Sequence, residues 1–125
     1  MPSASHPTAP YLNLNRTQLL IRLGASALAE GESHLENPSV RESIEAAQQW
    51  FGQHYDTIKK AVCTRKDVLT SKGLNAAAAV FDVITSVLGG VPVTFAAIYV
   101  ADYGLDKFCK TGLKEFKESM DEQPK

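Results

Sequence analysis

The feature that most constrains this chain is a long stretch without any charged side chain, which runs from Val83 to Ala101. An apolar stretch of about 18 residues or more is the usual sign of a transmembrane helix. Here Gly89, Gly90 and Pro92 interrupt the stretch, and a single continuous helix tolerates none of them well. The pattern therefore predicts a stop, a turn and a new start, which join two short apolar helices into a hairpin.

The predicted hairpin is a poor membrane anchor. Its first helix, over residues 76–88, would be about 20 Å long at ~1.5 Å per residue, short of the ~30 Å hydrocarbon core of a bilayer. Asp82 lies inside it, and a carboxylate at the bilayer centre costs roughly 2.5–3.5 kcal/mol. The favoured interpretation is a hairpin, with a second helix over 92–110, at the centre of a soluble bundle. A hairpin over 76–109 that inserts into lipid or docks on it stays open as the alternative.

The rest of the chain also has helical spacing, and the alternation that marks a half-buried strand is hard to find. A first helix is predicted from residue 15 or 17 to a stop at Gly31. A second begins after Ser39, which lies three residues before Glu42 as in a capping box, and runs to about Val62.

Two further helical segments are predicted. A short helix is expected over residues 65–71, in the connector before the hairpin. The helix that begins at Pro92 is expected to continue to about residue 117, with weak points at Gly104 and Gly112. Pro92 suits the first position of a helix, where its missing N–H costs nothing.

The length and composition suit one globular domain. The chain has 125 residues, of which 44% are hydrophobic and 22% charged, and both fractions are ordinary. The predicted organisation is a flexible N-terminal leader (1–12), a helical bundle domain (13–118) and a frayed C-terminal tail (119–125). The leader lacks a basic region followed by an apolar one, so no signal peptide is expected. The predicted fold class is all-α: a single compact bundle of four to five helices with a central apolar helical hairpin.

The two cysteines, Cys63 and Cys109, form no C-x-x-C motif and have no histidine at zinc-ligand spacing. We expect two half-buried thiols in a reducing cytoplasm. A bridge between them would require the fold to bring them close together. The expected localisation is therefore cytoplasmic, and neither a metal nor another cofactor is expected.

The histidines give no convincing catalytic or ligand site. His54 has no carboxylate or thiol at helical spacing, which predicts a surface or boundary histidine. Glu30 and His34 are four residues apart, but Gly31 interrupts the helix between them.

Three carboxylates near the hairpin, Asp82, Asp102 and Asp106, could together bind a cation. A simpler account pairs Asp106 with Lys110 at i,i+4 and places Asp102 where the helix leaves the core. No catalytic, cofactor-binding or metal site is therefore predicted.

Charge and motifs exclude several function classes. The net charge of −1 gives no field that would select nucleic acid, and no P-loop, nucleophile elbow, zinc-protease or calcium-loop motif is present. A basic connector over 59–72 follows an acidic stretch over 30–56. This asymmetry could steer a charged partner or pair the molecule head to tail, although a solvated connector is the simpler explanation.

These observations predict an interaction or regulatory module that is not an enzyme and acts through protein–protein contacts. Its partner would be another protein or a second copy of itself, as a homodimer, and no specific nucleic acid is expected. The contact surface is expected on the hairpin or on the amphipathic C-terminal helix. The alternative is a membrane-active protein, toxin-like, pore-forming or membrane-regulating. An enzyme would need a pocket that gathers Asp82, Asp102, His54 or a cysteine.

Overall fold

The computed structural model describes residues 8–30, 39–65, 74–90 and 92–121. In these ranges every regular element is a helix, which confirms the all-α bundle. The elements are a 3-10 helix at Ala9–Tyr11 and the α-helices α1 (Arg16–Glu30), α2 (Val40–Cys63), α3 (Leu74–Ile84), α4 (Pro92–Tyr103), α5 (Leu105–Lys110) and α6 (Leu113–Asp121). The described part holds six α-helices rather than four to five, because the last predicted helix is divided into three.

Both long N-terminal helices begin with reciprocal side-chain caps. The Ser39 hydroxyl accepts the Glu42 amide at 3.0 Å, and the Glu42 carboxylate accepts the Ser39 amide at 2.8 Å, so the predicted capping box is confirmed. Asn15 and Gln18 form a similar pair at the start of α1, with distances of 2.8 and 3.0 Å. Each cap satisfies amides that have no partner inside the helix, an effect of about 1 kcal/mol.

The first helix of the hairpin ends at Ile84, four residues before its predicted end. Beyond it, the Thr85 hydroxyl donates to the Phe81 carbonyl at 2.9 Å, and the Ser86 hydroxyl donates to the Val83 carbonyl at 2.6 Å. Such hydroxyl groups compete with the backbone for the last carbonyls of a helix. A sequence pattern of apolar residues does not reveal this competition, which explains the misplaced boundary.

Helix α4 is the central helix of the bundle. It begins at Pro92, as predicted, after Gly90 takes a φ of 103°, a conformation that favours glycine. Nine of its twelve residues are buried, so almost every side of the helix faces protein. The central apolar hairpin is therefore present, although α4 is much more enclosed than α3.

The chain changes direction twice after α4. Gly104, with a φ of 108°, separates α4 from α5, and a second break at Thr111 and Gly112 separates α5 from α6. The Tyr55 hydroxyl and the Lys59 ammonium, both on α2, donate to the Thr111 carbonyl. Both predicted weak points are thus real breaks, and α2 holds the connection between α5 and α6.

An aromatic cluster fixes α6 against the core. Phe116 is fully buried, and its ring lies 5.0–5.7 Å from five other aromatic rings, those of Phe51, Tyr55, Tyr99, Tyr103 and Phe108. Four of these five contacts are edge-to-face, an arrangement that stabilises by roughly 0.5–1.5 kcal/mol per pair beyond the burial of area. Met120 is also buried, at 1% exposure. The apolar face of the C-terminal helix is therefore occupied within the molecule.

Cys63 and Cys109 form a disulfide, with their Cα atoms 5.7 Å apart. The prediction of two free thiols was therefore wrong. The reason is the return of α5 onto α2, where the Tyr55 and Phe108 rings lie 5.3 Å apart. This return brings together two cysteines that are 46 residues apart in sequence, and no local pattern indicates it.

Some described residues on either side of the predicted bundle domain, 13–118, are also ordered against the core or in a helix. Thr8 is 1% exposed, and the Tyr11 ring lies 4.9 Å from the Phe95 ring. At the other end, α6 continues to Asp121. The short helix predicted over 65–71 lies outside the described residues from position 66 onward. Within the described residues, no helix combines the length and the apolar character needed to cross a membrane.

Candidate interaction surfaces

Helices α1 and α2 touch backbone to backbone at Gly24. A methyl group at this position would lie 1.6 Å from the Ser43 carbonyl oxygen, so only glycine fits. Ser43 is 1% exposed, and its hydroxyl has no hydrogen-bond partner among the described residues. This contact of small residues sets how α1 and α2 lie against each other.

A surface groove lies between the same two helices. One recess of about 250 Å³ is lined by Ala27, Leu28, Ala46, Gln49, Trp50 and Gln53. A second recess of about 190 Å³ is lined by Leu28, Glu42, Glu45, Ala46 and Gln49. Because Leu28, Ala46 and Gln49 line both, the two recesses form one surface, which we call the α1–α2 groove.

One wall of the α1–α2 groove is a rigid aromatic residue. Trp50 is only 8% exposed, and its ring packs edge-on against Phe51, with centroids 5.4 Å apart. The His54 ring lies 4.7 Å away on the next turn of the helix. Held by these neighbours, the indole presents a fixed apolar surface to the recess. It is also the single tryptophan of the chain.

The other end of the α1–α2 groove is acidic. Glu42 and Glu45 are exposed, and the backbone amide and hydroxyl of Ser39 lower the pKa of the Glu42 carboxyl. Hydrogen bonds to the charged form favour ionisation. Arg41 lies 3.5 Å from Glu45, but both side chains are exposed, so this pair is weak. The rim therefore carries negative charge at neutral pH.

A second candidate surface is the turn between α3 and α4, residues 85–90, which we call the hairpin tip. Val87 is 48% exposed there, and among the described large hydrophobic residues only Val40, at 44%, is also classed as exposed. No charged residue lies between Val83 and Ala101. The hairpin tip thus presents an uncharged surface with one exposed apolar side chain.

The structure disperses the three carboxylates that could have bound a cation. Asp102 accepts the Arg16 guanidinium at 2.6 Å, and Arg16 also donates to the Asp102 carbonyl at 3.1 Å. Asp106 pairs with Lys110 at 3.2 Å, as predicted, and Asp82 is exposed on α3. In the described ranges, no three potential metal ligands of the His, Cys, Asp or Glu type come together.

Two of the remaining candidate residues, His54 and Lys59, contact neighbouring groups of the protein itself. His54 is half-buried beside Trp50, as expected of a boundary histidine. Lys59, from the basic connector, donates to a carbonyl and lies 5.6 Å from the Tyr55 ring centroid. His34 lies outside the described residues.

The α1–α2 groove was not anticipated from the sequence. Its signal is a set of small residues, Gly24 and Ala27 on α1 and Ser43 and Ala46 on α2. Small residues leave space only where two helices face each other, and the sequence does not say which helices do. No protein family model, no curated protein and no solved structure matches this chain.

Proposed function

We propose that this protein is a small helical interaction module that acts through protein–protein contacts made at the α1–α2 groove. One observation carries the proposal: a fixed tryptophan wall and an acidic rim lie in the same surface groove. Binding surfaces typically combine a buried aromatic anchor with a polar rim. That the protein is not an enzyme stays a prediction.

The C-terminal helix is a weaker candidate for the contact surface than the sequence suggested. Phe116 and Met120, the residues that make α6 amphipathic, are 0% and 1% exposed. A partner could reach them only after α6 left the core. The α1–α2 groove needs no such rearrangement.

Site-specific photo-crosslinking tests the proposal. A photoreactive amino acid at Gln49, inside the groove, should trap the partner, or a second copy of the chain if the protein is a homodimer. The same residue at Glu118, exposed on α6, is the matched control. Equal trapping at both positions, or trapping at Glu118 alone, would contradict the proposal.

The compartment is a separate proposal. The sequence predicts the cytoplasm, but the Cys63–Cys109 bond weighs against it, because disulfides persist mainly in oxidising compartments. We therefore favour an oxidising environment. Rapid alkylation of the protein in its own cells, followed by mass spectrometry, decides between them: two alkylated thiols support the cytoplasm, and an intact bond supports the oxidising compartment.

A second candidate function is docking on a membrane surface through the hairpin tip. The observation that favours it is Val87, 48% exposed in a segment without charge. Sedimentation with vesicles of phosphatidylcholine and phosphatidylglycerol tests it. Val87→Asp should abolish co-sedimentation, whereas Val40→Asp, a control at a position 44% exposed, should not. Absence of vesicle binding by the unmodified protein would exclude this function.

A further inference from the structure

From the chemistry of the α1–α2 groove we infer that its partner is a peptide segment with one apolar anchor side chain and, about one to two helical turns away, basic side chains. The inference rests on the proposed function, since it concerns the same groove, and it specifies the chemistry of the occupant.

The α1–α2 groove has room for an extended ligand, because a recess of about 250 Å³ and a recess of about 190 Å³ adjoin along α2. This arrangement suits a peptide segment that places one side chain in the first recess. The apolar surfaces of the first recess come from Ala27, Leu28, Ala46 and Trp50. A leucine, isoleucine or methionine side chain placed in this recess would remove part of its apolar surface from water, which stabilises by roughly 25 cal/mol per Å².

The polar residues that line the groove lie on one face of α2. Glu42, Glu45, Gln49 and Gln53 follow one another at steps of three, four and four, which places them on one face of the helix. The amides can donate to and accept from a peptide backbone. At ~1.5 Å per residue, Glu45 and Glu42 lie about 7.5 and 12 Å along the helix axis from Trp50. This separation sets the distance between the anchor and the basic residues.

Charge favours a basic segment. The described residues that line the two recesses include two acidic side chains, Glu42 and Glu45, and no basic one. The Arg41–Glu45 pair is solvent-exposed, so a basic ligand can replace it at little cost. An acidic segment, or a nucleic acid, would be repelled from the same rim.

The test uses Trp50 fluorescence, because the single tryptophan of the chain lines the recess. The probes are three capped 14-residue peptides: one with leucine and lysine at amphipathic helical spacing, one with alanine in place of leucine, and one with glutamate in place of lysine. The leucine–lysine peptide should change Trp50 emission on binding. Each of the other two should bind at least about tenfold more weakly, a difference of ~1.4 kcal/mol.

Matched variants separate the two halves of the inference. Glu42→Gln with Glu45→Gln removes the rim charge while glutamine preserves the capping box. It should weaken the leucine–lysine peptide by roughly two- to thirtyfold at low salt. Glu115→Gln with Glu118→Gln, at exposed positions on α6, makes the same change in net charge and should leave the affinity unaltered.

The recess is tested by filling it. Ala46→Phe should abolish the fluorescence response, whereas Ala78→Phe, at another half-exposed alanine, should preserve it. If Ala46→Phe fails to fold by circular dichroism, Gln49→Phe replaces it, at an exposed position that lines both recesses, and it should also abolish the response.

The outcomes distinguish this inference from the proposed function. If the glutamate peptide binds as tightly as the lysine peptide, or if no peptide binds while crosslinking at Gln49 still traps a partner, the inferred chemistry is wrong and the interaction function stands. If filling the recess changes no binding or crosslinking, the groove is not the contact surface and both are wrong. Selective binding of the leucine–lysine peptide, lost in the groove variants, supports the inference.

Discussion

The disulfide between Cys63 and Cys109 should supply a large share of the stability of this protein. It closes a loop between residues 46 positions apart, and the entropy removed from the unfolded chain corresponds to about 4 kcal/mol at 25 °C. Small domains have a total unfolding free energy of only about 5–15 kcal/mol. Loss of the bond should therefore lower the melting temperature by roughly 15 °C.

The reduced protein should nevertheless keep its fold. Phe108 and Phe116 are fully buried, and the Thr111 carbonyl accepts hydrogen bonds from Tyr55 and Lys59. These contacts hold α5 and α6 on α2 without the bond. We expect a native circular dichroism spectrum with a lower denaturation midpoint, rather than a collapsed or unfolded state.

Urea denaturation with and without a phosphine reductant measures the difference. The double variant Cys63→Ala, Cys109→Ala should match the reduced protein and show no response to reductant, which controls for effects of the reductant itself. A difference in unfolding free energy below about 1 kcal/mol, against the ~4 kcal/mol of the loop estimate, would refute the reasoning. So would two free thiols in the folded, air-oxidised protein.

Three further predictions concern buried residues of the core. Gly24→Ala should lower the unfolding free energy, measured by urea denaturation, by about 3 kcal/mol or more. The reason is that the new methyl group would overlap the Ser43 carbonyl, so α1 would have to move away from α2. A change under about 1 kcal/mol would contradict the close contact. Tyr99→Phe should leave the unfolding free energy unchanged or raise it, because the buried Tyr99 hydroxyl has no hydrogen bond of ordinary geometry among the described residues. The Ser119 hydroxyl only partly offsets the rise that burial causes in the Tyr99 pKa. A loss of unfolding free energy above ~1 kcal/mol would show that the Tyr99 hydroxyl does have a hydrogen-bond partner. Burial raises the pKa of the Tyr55 and Tyr99 phenols above the ordinary 10.0, so these phenols lose their protons at a lower pH in the unfolded chain than in the folded one. The unfolding free energy should therefore not depend on these two tyrosines below about pH 10 and should fall as the pH rises above 10. Tyr99→Phe should reduce that fall.

Local signals in the sequence predicted local structure well. Ser39 and Glu42 predicted the start of α2 because a capping box involves only four neighbouring residues. Pro92 predicted the start of α4 because its fixed φ and missing N–H suit one position of a helix. Gly104 and Gly112 marked the breaks in the last predicted helix, although whether such glycines end a helix depends on what packs around them.

The features that depend on tertiary contact were not predictable. Nothing near Cys63 indicates that α5 returns to the end of α2, so the disulfide was missed. The α1–α2 groove depends on Gly24 facing Ser43, a pairing between two helices that a single sequence leaves undetermined. Amphipathic spacing in α6 marked an apolar face correctly, but the aromatic cluster around Phe116 covers that face within the molecule.

The bond between α2 and α5 also determines how the molecule would respond to a pulling force applied to its two ends. Tension would pass from Cys63 directly to Cys109 and bypass everything between them, including the buried helix α4. The two cysteines are 46 residues apart, so at about 3.5 Å per residue roughly 160 Å of chain between them could not be extended while the bond is intact. The most enclosed part of the core would therefore bear no load until a reductant cut the sulfur–sulfur bond, which makes the hairpin a mechanically shielded segment within an extensible chain.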